Sequence, residues 1–166
     1  MRHGTVVVGL VVALSLTGCA SSNIKSYRPK NTEEAQVVTQ LLKIPTGINE
    51  RSVELLMQPY ADDVYIGNFH KYIGVASPSA PRTISKAELR GAYAQLFRHT
   101  KNISADVTDF QLRVSGDRAV AEARLELLYK IEASRGEARE QLLRNDVTWR
   151  MKYTPSGWKI QEEIFQ

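Results

Sequence analysis

Ser115-Gly116-Asp117-Arg118-Ala119-Val120-Ala121-Glu122-Ala123-Arg124-Leu125-Glu126-Leu127-Leu128-Tyr129-Lys130-Ile131 is a turn followed by one long alternating run. Ala119, Ala121, Ala123, Leu125, Leu127, Tyr129 and Ile131 share one face. Glu122, Arg124, Glu126 and Lys130 take the other. A period of two sustained this long reads as a β-strand with one buried and one solvated face. Ser115 to Arg118 supplies hairpin turn residues, so the preceding segment should pair with it antiparallel.

Working outward, Ser104 to Val114 is that partner strand. Val107 lies in one phase and Phe110, Leu112 and Val114 in the other, the signature of a β-bulge. On the far side, Ser134-Arg135-Gly136-Glu137 turns the chain into a strand over Gln141 to Tyr153, with Leu143, Val147, Trp149, Met151 and Tyr153 on one face. Thr154-Pro155-Ser156-Gly157 turns it again into a last strand, Trp158 to Phe165.

The N-terminal half has the helical period instead. Thr32-Glu33-Glu34, capped by Asn31 or Thr32, opens a helix with Ala35, Val38, Leu41 and Leu42 on one face, expected to stop before Pro45. Asn49 or Ser52 caps a second helix through Val53, Leu55, Leu56 and Met57, ending near Pro59. Tyr60-Ala61-Asp62-Asp63-Val64 leads into a strand through Ile66 to Phe69. Residues 70–84, with Gly74, Pro78 and Pro81, read as a hairpin or irregular loop. Ser85-Lys86-Ala87-Glu88 is a capping box opening a third helix with Leu89, Tyr93, Leu96 and Phe97. Helices first, then a run of antiparallel strands, is the α+β class.

The first twenty residues are of another kind. Met1-Arg2-His3 is a basic start, and Val6 to Leu16 is an apolar run too short to span a bilayer comfortably. Leu16-Thr17-Gly18-Cys19 follows. This segment resembles the bacterial lipoprotein signal, whose lipobox is a leucine, two small or polar residues and a cysteine. The resemblance implies a signal peptide over 1–18, lipidation of Cys19, and a membrane partner reached through that lipid. Each buried methylene contributes roughly 0.8 kcal/mol, and about two chains anchor stably. Ala20 after the cysteine, by likeness to enteric lipoproteins, implies the outer membrane facing the periplasm rather than the inner membrane. Residues 19–31, polar with one proline, read as a tether, and 32–166 as a single domain.

Composition agrees with a folded domain, at 43% hydrophobic and 24% charged residues. Net charge is +4, or +3 once Arg2 leaves with the leader, and cations alternate with acids. That argues against nucleic acid as a partner. The single cysteine allows no internal disulfide.

The order of the domain's pieces is similar to the nuclear transport factor 2-like superfamily, which includes the SnoaL and ketosteroid isomerase-like proteins. The matching pieces are the helix running into Tyr60-Ala61-Asp62-Asp63-Val64, the helix opened by Ser85-Lys86, the Ser115-to-Ala121 hairpin, and the closing Trp149 with Gly157-Trp158-Lys159-Ile160. The resemblance implies a cone: three N-terminal helices packed on a strongly curved antiparallel sheet, with a pocket between them. Its members include isomerases, dehydratases and cyclases beside many non-catalytic binding and dimerisation domains.

No residue set announces one of these chemistries. Asp62 and Asp63 sit at a helix-to-strand junction, where a side chain commonly satisfies backbone donors; Asp63 is the candidate general base of that pair. Glu162 shares a phase with Trp158, Ile160 and Ile164 and is expected to point into the cone, unless it pairs with a neighbouring arginine such as Arg144 or Arg150. Asp109 lies at the phase flip. Tyr65 and Tyr93 are candidate hydrogen-bond donors to an oxyanion. Phe69, Phe97, Phe110, Trp149 and Trp158 are expected to line the cone, most of them as core. His70 and His99, the two histidines beyond the leader's His3, could form an acid–base pair; without a His/Glu cluster they do not point to a metal site, and no cofactor motif is present. The reading is a non-catalytic binding or interaction domain of the cell envelope, partnered by an apolar small molecule or an envelope protein. The alternatives are an enzyme using a pocket carboxylate as base, and a homodimeric scaffold in which Val120 and Leu128, apolar on the charged face, form a sheet-to-sheet interface.

Overall fold

A computed structural model describes residues 22–72, 82–132 and 138–166. The leader and Cys19 lie outside these residues, as do the expected turn at 134–137 and most of the expected loop over 70–84.

Helix α1 spans Thr32–Asn49, α2 Val53–Met57, strand β1 Tyr60–Gly67, α3 Phe69–Tyr72, β2 Thr83–Ile84, α4 Lys86–His99, β3 Thr100–Ser115, β4 Arg118–Glu132, β5 Ala138–Thr154 and β6 Gly157–Phe165. One six-stranded sheet runs in the order β2-β1-β6-β5-β4-β3. All neighbours are antiparallel except β1 and β6, which are parallel. Helices α1 and α4 cover one face, against β3 and β1. The architecture is the expected α+β arrangement of helices on a curved, largely antiparallel sheet. Ala119, Ala121, Ala123, Leu125, Leu127 and Tyr129 are buried in the core, and their alternate neighbours face outward.

The local signals act largely as their chemistry dictates. The Asn31 side chain accepts from Glu34 N at 2.8 Å and caps α1. Ser85 and Glu88 form the reciprocal capping box of α4. Ser52, not Asn49, caps α2, accepting from Leu55 N at 3.2 Å.

Helix α1 does not stop before Pro45. It runs four residues past it, because Ile44, Pro45, Gly47 and Ile48 are all buried. Packing there outweighs the one backbone hydrogen bond that proline removes. Gly47 is needed at this contact, since a Cβ on it would lie 2.6 Å from Leu56 N. Asn49 instead joins helix to sheet: it accepts from Ala105 N at 2.6 Å and donates to Ala105 O at 3.1 Å. The first strand begins at Tyr60 and ends at Gly67, so Phe69 stands on the single turn α3. Within the expected loop, Thr83 and Ile84 pair with Gly67 and Ile66 as a short edge strand.

Two irregularities set which residues face the core. In β3, Thr108 pairs with Arg124 and Gln111 with Glu122, leaving Asp109 and Phe110 opposite a single residue. Asp109 takes φ +53°, and Arg124 holds its carboxylate at 2.7 Å. The expected phase flip is therefore a bulge, and it buries both Val107 and Phe110. The bulge also frees Phe110's backbone groups, which Ser22 takes up: Phe110 N donates to Ser22 O at 2.9 Å, and Ser22 Oγ donates to Phe110 O at 2.6 Å.

This contact corrects the expected tether. Residues 22–31 belong to the fold. Ile24 is 1% exposed, Asn23 donates to Asp106 at 2.8 Å, and Tyr27 packs edge-on against Phe110 at 5.0 Å while donating to Glu34 at 3.0 Å.

Candidate functional site

The second irregularity lies in β6. Met151 pairs with Ile160, but the next residue, Arg150, pairs with Glu162. Gln161 is the extra residue. A one-residue insertion reverses every later side chain. Trp158 and Ile160 face the core before it, and Glu163 and Phe165 face the core after it.

Glu162 is thereby turned outward, so it does not enter the cone, and the alternative pairing with a neighbouring arginine holds. It is part-exposed and pairs with Arg150 at 3.5 Å. The acid that enters the interior is its neighbour Glu163, 2% exposed. Directly opposite on β5, Trp149 donates its indole Nε1–H to Glu163 Oε1 at 2.7 Å. Tyr60, at the start of β1, donates its hydroxyl to the same oxygen at 3.0 Å. Burial pushes the carboxyl up to about 7, against these two hydrogen bonds, which favour the charged form. A carboxyl in this state can hold or accept a proton near neutral pH. Among the described residues no hydrogen bond to Oε2 accompanies those to Oε1.

The other candidates are dispersed. Asp63 is exposed. Asp62 is exposed too and pairs with Lys86 at 2.9 Å, a hydrogen bond that lowers its pKa. Tyr65 is 51% exposed on β1. Tyr93 is buried on α4, its ring 6.0 Å from Phe97. Phe69 packs against Phe165 at 6.3 Å, and Phe69, Phe97, Phe110, Trp149 and Trp158 are all buried in the one core cluster. His99 is exposed at the end of α4. His70 Nδ1 and Trp158 Nε1 are buried with no hydrogen-bond partner among the described residues. Among the described residues no group of His, Cys, Asp or Glu is arranged to hold a metal.

Sequence reasoning missed Glu163 and Tyr60 because β6 was followed in a single phase. A signal was present: Phe165 stands out of phase with Trp158 and Ile160, just as Phe110 does with Val107. Read as a second bulge, that pattern would have exchanged Glu162 for Glu163.

The opposite, outer face of the sheet is solvated but not uniformly polar. Leu128 and Leu142 are directly opposite one another on β4 and β5, 38% and 47% exposed. They border a shallow cavity of about 780 Å³ with Glu126, Glu140, Asp106 and Lys25. Around it the charges pair across strands: Arg144 with Glu126 at 3.1 Å, Lys130 with Glu140 at 3.5 Å, and Arg124 with Asp146 at 3.0 Å.

Comparison with known proteins places these features in context. The family model described as a SnoaL-like domain matches residues 37–163. Among solved structures, a protein of Kribbella flavida is similar at a TM-score of 0.67 and 15% identity, with 81% of this chain and 90% of that chain covered. A ketosteroid isomerase-like protein of Erwinia carotovora atroseptica is similar at 0.59 and 17% identity, with 81% and 95% covered. A dehydratase candidate of the NTF2-like family from Streptomyces avermitilis is similar at 0.58 and 20% identity, again with 81% and 95% covered. No match is found among curated proteins.

Proposed function

Because this chain belongs to the SnoaL-like domain family, a family of nuclear transport factor 2-like fold, we propose that it is a cell-envelope lipoprotein, anchored through Cys19, whose domain binds a partner rather than turning over a substrate. The observation that carries this reading is the state of Glu163. It is enclosed at 2% exposure, and one oxygen takes both core donors, Tyr60 and Trp149. Such a carboxyl pins three strands together. The acids open to solvent, Asp62, Asp63 and Glu162, lie on the surface without a partner donor in an apolar cleft. The partner is an apolar small molecule or another envelope protein, and the outer membrane facing the periplasm is the favoured location. The short stretch between Cys19 and the packed Ser22 holds the domain close to the bilayer, about 10 Å at full extension.

Two measurements test this. The Cys19→Ser chain should lose labelling by a palmitate analogue and leave the membrane fraction; retention of both would remove the anchor. The purified protein should show no turnover of ketosteroid-like substrates that depends on Glu163.

A second reading is favoured by one observation. A carboxyl raised to about 7 beside a tyrosine hydroxyl suits a general base or acid, and the isomerase-like and dehydratase-like neighbours share the fold. On that reading Glu163 moves a proton of a substrate reaching Oε2. The discriminating result is a rate that rises with pH through about 7 and is abolished in Glu163→Gln.

A further inference from the structure

The end of the sheet that carries the Ser115-to-Arg118 turn holds a cross-strand row of like charges. Arg118 on β4 is directly opposite Lys152 on β5, and Lys152 is directly opposite Lys159 on β6. Like charges facing each other across strands destabilise a sheet. The other like-charged pair on this face, Asp106 opposite Glu126, is neutralised, Asp106 by Lys25 at 3.3 Å and Glu126 by Arg144 at 3.1 Å, and the remaining cross-strand ion pairs join opposite charges.

Arg118 and Lys152 also line a cavity of about 620 Å³ on the outer face, with Arg113, Glu122, Arg150 and Glu162 among the other charged walls and Val120 in its floor. Both of its carboxylates are already engaged: Glu122 with Arg113 at 3.2 Å, and Glu162 with Arg150 at 3.5 Å. Asp117, in the adjoining turn, forms no ion pair with Arg118 or Lys152 among the described residues. Four cations and two engaged acids leave a surplus of two positive charges, held by Arg118 and Lys152. The third member of the row adds to that field. Lys159 is tied to Gln58 O at 2.6 Å, and burial together with Lys86 and Lys43 lowers its pKa, partly offset by Asp62.

We infer that this cavity binds a phosphate-bearing anion, with the dianion between Arg118 and Lys152 and the attached organic group over Val120. Arginine offers two parallel donors to a phosphate, and lysine a compact point charge. A phosphate monoester carries close to the two negative charges the lining lacks. The site is on the opposite side of the sheet from Glu163, and it stands whether or not Cys19 is lipidated. The phosphate could belong to a soluble molecule or to a lipid headgroup; the chemistry recognised is the same.

The test uses the full chain in uncharged detergent micelles and follows inorganic phosphate binding by titration calorimetry, against chloride at matched ionic strength. Arg118→Gln with Lys152→Gln should weaken binding at least about tenfold, since two charged hydrogen bonds are lost. Lys130→Gln with Arg139→Gln removes the same charge from the far end of the sheet and should leave binding within about twofold. Arg118→Lys keeps the charge but loses the paired donors, and should bind between the parent and the double variant, which separates loss of the site from loss of the fold. Doping the micelles with phosphatidic acid then distinguishes the sources: displacement of inorganic phosphate supports a headgroup, and no displacement supports a soluble ligand. The inference is overturned if phosphate binds no better than chloride, if the Arg118/Lys152 variant binds like the parent, or if the distant charge-matched variant loses as much.

Discussion

Replacing Glu163 with glutamine installs a neutral isostere of the protonated carboxyl, and the two proteins should diverge in stability as pH rises. In the unfolded chain the carboxyl titrates near its ordinary value of 4.5; in the fold, burial pushes it up to about 7. Below 4.5 both states hold the proton, and the carboxyl adds no pH dependence. Between 4.5 and about 7 the folded chain still holds a proton that the unfolded chain has released, so each rise in pH favours unfolding. One pH unit is worth about 1.4 kcal/mol, which makes the loss roughly 3 kcal/mol by the time the folded carboxyl has ionised, with no further change above. The glutamine variant lacks this slope. Urea unfolding of both proteins at about pH 5, 6, 7 and 8 gives a difference curve in which groups common to both, Asp62 and Glu88 among them, cancel. The variant should be near the parent at the lowest pH and about 2–3 kcal/mol more stable at the highest. A difference flat to within about 0.5 kcal/mol, or one of opposite slope, would refute the claim that the acid is folded in its neutral form.

Gly47→Ala should destabilise the chain by about 1–3 kcal/mol despite alanine's better helix propensity, because its Cβ would meet Leu56 N at 2.6 Å and Leu56 Cα at 2.8 Å, backbone atoms that cannot step aside; a raised urea midpoint would contradict the packing. At Asp109, where φ is +53°, valine should cost about 1–3 kcal/mol, and glycine clearly less even though it also loses the part-exposed pair with Arg124. Equal melting temperatures for the two would show that the backbone there is unstrained. Ser85→Ala should cost about 1 kcal/mol, since it removes the oxygen that caps α4 and half of the reciprocal box with Glu88; calorimetric melting decides it.

Much of the fold was legible because it rests on local chemistry. The alternation of Ala119 to Tyr129, the Ser85/Glu88 box and the phase flip at Asp109 are properties of neighbouring residues, and each appears in the fold as read. The stop expected at Pro45 failed because Ile44, Gly47 and Ile48 gain burial against α2 and the sheet, a contribution no helix rule contains. The tether failed similarly. Ser21 to Asn31 looks like a solvated linker, yet Ser22 takes up the backbone groups of Phe110 left open by a bulge 88 residues away, and the Tyr27 ring packs against Phe110.

The α+β class and the faces of β3, β4 and most of β5 follow from the amino-acid order alone, because periodicity and turn chemistry act over a few residues. Which acid lies inside is set by packing between strands. Glu162 and Glu163 are adjacent and chemically alike, and one extra residue, Gln161, opposite Arg150 and Met151 exchanges their faces. Strand partners set that register, and their pairing puts Glu163 where Trp149 and Tyr60 can meet it. The opposition of Arg118 to Lys152 is likewise a matter of partners 34 residues apart in the chain, so the surplus charge exists only once the sheet has formed.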